Sequence, residues 1–208
     1  MKTIFKQTYK QLKEQPIISI VSIAGTALSL FLIMLVVMIQ QVKVAPFSPE
    51  SNRDRMLHVK FGSLFTKDGE MNSPLSLHAI DAIYKNLKTP EAVTAYTFFS
   101  TRQPLSANGS KSFTADVKLT DAAFWHVFDF KYIYGKPYNE ANFKAGIPLA
   151  VISRSTATRL FNTTGDVVGR TFLLKYITYK VAAVVNDVST LATTSYSQIW
   201  IPYTTDQE

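Results

Sequence analysis

The chain has 208 residues, a formal net charge of +7, 47% hydrophobic residues and no cysteine. The missing cysteines exclude a disulfide framework, a thiolate metal site and a cysteine nucleophile. Of the +7, the first sixteen residues supply four lysines and one glutamate, leaving +4 on the rest, a mildly basic surface and not a nucleic-acid footprint.

In "MKTIFKQTYKQLKEQP", Ile4, Phe5, Tyr9 and Leu12 share one side of a helix, and Lys2, Lys6, Lys10 and Lys13 follow a second stripe. This spacing predicts an amphipathic helix over residues 1–15. Either it merely orients the apolar run beyond it, or it lies in the headgroup layer and offers its lysines to anionic lipid or a cytoplasmic partner. Pro16 separates it from the next element, because proline donates no backbone hydrogen bond. From Ile17 to Ile39 there is no charged residue. As a helix this run is roughly 34 Å long, against a hydrocarbon layer of about 30 Å. It is too long for a signal-peptide apolar region, and Lys43 and Pro46 spoil the only nearby cleavage signal, at Ala45. Residues 16–40 therefore read as one retained transmembrane helix. The lysines precede it, which places the N-terminus in the cytoplasm and residues 41–208 outside, in a periplasm or beyond the cell.

"VAPFSPESNRDR" reads as the neck leaving the membrane. "RMLHVKFG" is a strand candidate, with Met56, His58 and Lys60 on one face and Leu57, Val59 and Phe61 on the other. "SPLSLHAIDAIYKNLKTPE" predicts a helix capped by Ser73, with Pro74 in its first turn and Leu77, Ile80, Ile83 or Tyr84, and Leu87 at helical spacing. "AVTAYTFFS" reads as a strand, which gives β-α-β. Asn108-Gly109 is the strongest turn signal in the chain, and the alternation Phe113, Ala115, Val117, Leu119 after it predicts an antiparallel pair. Phe124, Trp125, Phe128, Phe130, Tyr132 and Tyr134 crowd one stretch and read as core more than as a binding platform. A strand and short helix capped by Ser153 or Ser155, two strands around Tyr176-Ile177 and a last short strand in "SQIWIPYTT" complete an α+β fold. Its exported part is a mixed α/β domain with a strand-rich lobe.

Chemistry is absent from the motifs. There is no Walker loop, no Gly-x-Gly-x-x-Gly and no His-Glu-x-x-His. His58, His78 and His126 are far apart, and His126 falls in the aromatic cluster, where a satisfied structural histidine is expected. Asp81, Asp116, Asp121, Asp129 and Asp187 could pair across space, but carboxylates at turns and caps are ordinary. We expect no catalytic, cofactor-binding or metal-ligating residue, and hence no enzyme.

Six stretches in order resemble the MacB-type periplasmic core domain of FtsX-like ABC transporter permeases: "RMLHVKF", "PLSLHAIDAIYKNLKTPEAVTAY", "DAAFWHVFDFKYIYGKPY", "PLAVISRSTATRLFNTTGDVVGRTF", "YKVAAVVNDV" and "IWIPY". The aromatic phrase falls on Asp121, Phe124, Trp125, Phe128 and Gly135. The strand-to-helix block falls on Ile152, Ser153, Ala157, Leu160 and Phe161, with Gly169 after it. The resemblance implies a non-catalytic membrane subunit that pairs with a separate cytoplasmic ABC ATPase, the only component to bind ATP. It also implies self-association or a second permease chain, and a role in export, lipoprotein release or activation of cell-wall hydrolases, in some cases with a periplasmic protein as partner. Family members continue after the "IWIPY" strand with the second half of the core and three more membrane helices, so the match is to the N-terminal part of such a permease. Its core is then incomplete at Glu208, and the early strands are expected to lack a covering layer. A membrane-anchored sensor or adaptor is the alternative function class, and an anchored extracytoplasmic hydrolase a third.

Overall fold

The computed structural model describes residues 13–67, 69–107 and 112–206. The amphipathic leader, apart from Lys13, Glu14 and Gln15, and the Asn108-Gly109 turn lie outside the described residues. The chain divides into two compact units, Met1–Ala45 and Pro46–Glu208.

The first unit is the helix α1, Pro16–Val44, with proline at its start. Proline fits there because the first amides of a helix have no partner within it. The stretch Pro16–Val42 is long and apolar enough to cross a membrane, and its apolar window is not buried against protein. Two of its hydroxyls bond back into the helix: Thr26 Oγ1 to the Ser22 carbonyl at 3.0 Å and Ser29 Oγ to the Gly25 carbonyl at 2.9 Å. Hydrocarbon offers polar groups no other partner.

The second unit begins with the neck, which closes in a 3-10 turn over Arg53–Arg55. The first strands are β1, Phe61–Thr66, and β2, Gly69–Pro74, an antiparallel hairpin in a sheet of its own. The helix α2, Leu77–Ala79, continues as a π-helical turn over Ile80–Tyr84.

Three expectations are corrected here. The strand begins at Phe61, where "RMLHVKFG" ends, and Leu57 is 89% exposed. Ser73 and Pro74 belong to β2, and the helix is capped by Ser76, whose Oγ accepts from the Ala79 amide. "AVTAYTFFS" forms only a single bridge, Tyr96 to Thr120, so the early β-α-β is a hairpin, a helical turn and an extended return.

From Thr101 onward every strand and the helix that the sequence predicts are present, and one strand, Tyr132–Gly135, and two helices, Phe124–Val127 and Glu140–Lys144, are added to them. The strands are β3, Thr101–Ser106; β4, Phe113–Thr120; β5, Tyr132–Gly135; β6, Leu149–Ser153; β7, Thr171–Leu174; β8, Ile177–Val185; and β9, Ile199–Pro202. The helices are α3, Phe124–Val127; α4, Glu140–Lys144; and α5, Arg154–Phe161, capped by Ser153. The strand order is β5-β8-β6-β9-β4-β3-β7, and β7 also pairs with β8, which closes six of the seven strands into a ring. Along one edge β8 holds β6. Along the other it holds β7 at Ile177–Lys180 and then β5 at Ala183–Val185. Gly135 has a positive φ of 71°, and an added Cβ would strike the Ala182 carbonyl, so β5 can approach β8 there only as glycine.

Alternation sorts the core into two layers, because successive side chains on a strand face opposite ways. Ala115, Val117, Ile152, Phe172, Leu174, Tyr179, Val181, Ile199 and Ile201 fill the first, closed by Ala157 and Leu160 of α5. Val151, Ala183, Val185 and Trp200 point the other way and meet Phe124, Trp125, Phe128, Phe130 and Tyr138. Trp125 packs edge-on against Phe124, Phe130, Tyr138 and Trp200, with ring centroids 5.2–6.3 Å apart. The aromatic cluster is core, and truncating one such ring costs about 3–5 kcal/mol.

Candidate functional site

Among the described residues, no group of three or more His, Cys, Asp and Glu side chains could hold a metal. His126 and His78 are exposed, so the expected structural histidine in the aromatic layer is corrected. His58 Nδ1 lies 3.0 Å from the Tyr96 hydroxyl. Burial lowers its pKa, helped by the charges of Lys60 and Arg53 and opposed by Glu50. Asp187 accepts from the Ser155 amide and hydroxyl, and Asp116 pairs with Arg102. A cleft of about 170 Å³ opens beside β3 and the turn between β7 and β8, lined by Leu119, Ile177, Thr101, Gln103 and the Lys175–Asp206 ion pair. Small-molecule sites span about 300–1,000 Å³, so this cleft is small beside them.

Polar chemistry concentrates instead at two joints. The first is built on the neck. Glu50, 3% exposed, accepts from the Ser195 amide at 2.9 Å and the Ser195 hydroxyl at 2.8 Å through Oε1. Its Oε2 accepts from Arg53 Nε at 2.9 Å and Nη2 at 2.6 Å. Burial alone would raise the carboxyl pKa, but the bonds from Ser195 and Arg53 hold it below the ordinary value. Asp129 donates its amide to the Pro49 carbonyl, and Ser48 donates its hydroxyl to the Asp129 carbonyl. The neck is therefore docked on the domain rather than free.

Lys118 completes this joint from β4. Its phase on the strand opposes Val117 and Leu119, yet it is fully buried, because the second layer and the neck cover that side. Its ammonium donates to the Thr194 carbonyl at 2.5 Å and sits over the Tyr96 ring. Burial pulls its pKa down to about 8, with the Glu50 charge resisting. Trp200 Nε1 holds the Ser195 carbonyl at 3.1 Å.

The second joint is built on Lys85, just past the helical turn. Its Nζ lies 2.9 Å from Asp81, 3.2 Å from the Tyr203 hydroxyl and 3.6 Å from Asp121. Burial opposes its charge, but the bonds to Asp81 and Tyr203 and the Asp121 charge raise its pKa. Buried Asp121 also accepts from Thr94 Oγ1, the Ala95 amide and the Phe124 amide. Of the five aspartates considered, the fold brings Asp81 and Asp121 together on one lysine. Sequence reasoning missed Glu50, Lys85, Lys118 and Ser195. The one signal for Lys118 was a charged residue in a strand flanked by apolar segments on both sides.

The described residues thus comprise a helix of membrane-spanning length and a strand-rich domain that is itself held together by internal polar anchors. The sequence matches the MacB-like periplasmic core domain over residues 19–208, and the chain belongs to that family. Among solved structures, the chain is similar to the extracellular domain of the noncanonic ABC-type transporter YknZ from Gram-positive bacteria. That likeness has a TM-score of 0.51 and 14% identity, and covers 62% of this chain and 63% of that one. It is also similar to the periplasmic region of MacB from Actinobacillus actinomycetemcomitans, with a TM-score of 0.50 and 22% identity, over 60% of this chain and 53% of that one. Both likenesses concern the fold. The matched part thus spans less than two thirds of either relative. No curated protein matches the chain.

Proposed function

We propose that the chain is the N-terminal part of a non-catalytic permease subunit that works with a separate cytoplasmic ABC ATPase. One observation carries this reading: the family match begins at residue 19, inside the membrane-length helix, and runs unbroken through the domain. Helix and domain are thus one inherited unit, as a part that links a membrane to an external domain needs to be. The N-terminus lies in the cytoplasm, where the lysine-rich leader meets the ATPase or anionic lipid, and ATP is bound only by that partner. A second permease chain pairs with this one, and the external domain engages a periplasmic protein or substrate during export, lipoprotein release or mechanical signalling.

Co-expression with an ABC ATPase encoded beside this chain, followed by affinity purification of the membrane-inserted chain, tests the reading. A stoichiometric complex whose ATP hydrolysis responds to the chain is expected. An ATPase that neither co-purifies nor changes its activity in the chain's presence would overturn it.

A further inference from the structure

We infer that the Glu50–Ser195 contact is a latch that makes the connection between β8 and β9, residues 186–198, follow the first residues beyond the membrane helix. The inference rests on the reading of the chain as a membrane-linked domain and names the part that receives the movement. Glu50 stands five residues past Ala45, the cap of α1, and bonds a residue 145 positions away in sequence. A displacement of the neck is therefore passed directly to Ser195, alongside the contacts of Ser48 and Pro49 with Asp129.

The receiving segment is tied to itself and to β4, so its movement is passed on to the ring. Tyr196 donates its amide to the Ala192 carbonyl at 2.7 Å, Ser197 donates its hydroxyl to the Asp116 carbonyl at 2.7 Å, and Lys118 holds Thr194. Asp116 and Lys118 lie on β4 and Trp200 on β9, two paired neighbours in the ring. The latch itself is polar where the rest of the interior is apolar. Separating it takes both Ser195 donors from Oε1 together, while Arg53 keeps its hold on Oε2, so the contact has two states, closed and open. The charged and titratable groups facing Glu50 are Arg53 on the neck, Lys118 on β4, and His58 and Tyr96 on the segments beside it. The lysine and arginine both favour the closed state while Glu50 is ionised.

A direct test uses the full chain in lipid nanodiscs, without any ATPase. Hydrogen exchange is followed at residues 189–198 and, as a reference, at residues 171–185. Glu50→Gln and Ser195→Ala should each speed exchange at 189–198 by about tenfold and leave 171–185 within about twofold. The double variant should be no faster than the worse single one. Uniform loosening of both regions, unchanged exchange at 189–198, or additive effects would each overturn the latch, and none of these outcomes depends on whether an ATPase binds.

Discussion

Lys85 and Asp121, 36 positions apart in sequence, meet with 3.6 Å between ammonium and carboxylate, which fastens the helical turn of the early segment to the start of the aromatic layer. The hairpin of β1 and β2 has no such fastening to the ring by strand pairing, and Phe61, Phe65 and Met71 on it are exposed. A lone two-stranded hairpin is marginal in water. Lys85→Met should therefore quicken hydrogen exchange across residues 77–87, while global stability falls by about 1 kcal/mol or less, since the ion pair is partly solvated. Unchanged exchange there would show that the lysine is not the anchor.

Asp121 has a heavier duty, because three protein donors besides Lys85 converge on it. Asp121→Ala leaves the Ala95 and Phe124 amides without their acceptor and should cost about 2–3 kcal/mol. Thermal unfolding of the full chain in detergent, followed by tryptophan fluorescence, measures this. Asp187→Ala, removed from a partly exposed cap at Ser155, should cost about 1 kcal/mol, so the order of the two variants is itself a check.

The buried lysine sets a pH dependence of definite sign. Lys118 has its folded pKa pulled down to about 8, below the about 10.4 of an unfolded lysine. Below pH 8 both states hold the proton and the burial penalty is constant. Between pH 8 and 10.4 the unfolded state holds a proton that the folded state has released, so stability gains up to about 1.4 kcal/mol per pH unit from this group. Chemical unfolding of wild type and Lys118→Met at pH 7, 8, 9 and 10 should show the difference between them shifting in favour of wild type across that window. A flat difference would mean that Lys118 titrates normally.

Orientation is tested with single cysteines. Tyr176, at the tip between β7 and β8, is 98% exposed, and Lys2 stands at the start of the leader. An impermeant thiol reagent on intact spheroplasts should label Tyr176→Cys and spare Lys2→Cys until the membrane is opened. The reverse pattern would invert the topology.

The distal strands other than β5 were legible because each carries its own local signal. Alternation marks β4, a serine cap follows β6, and Lys175-Tyr176 breaks the run between β7 and β8, where Lys175 takes a positive φ of 54°. The early segment was not legible, since "SPLSL" offers a serine before a proline and the chain uses the next serine, Ser76, as the cap. Nothing local distinguishes the two. The closure of β7 on both β3 and β8 depends on pairings far apart in sequence, which no window of residues contains. The joints were hidden for the same reason. Glu50 looks like one more polar residue in a proline-rich neck until Ser195 is folded beneath it, and Lys118 looks solvent-facing until a second layer covers that side of β4.

The fork at β8 has a mechanical consequence. Three strands grip β8 along its length, and its pairing with β6 is parallel, as is that of β4 with β9. Traction along such a strand loads many hydrogen bonds together in shear, whereas peeling a free edge breaks them singly. Under load the ring should yield last, and extension should go first into the segments outside it, where β1 and β2 can unzip one rung at a time.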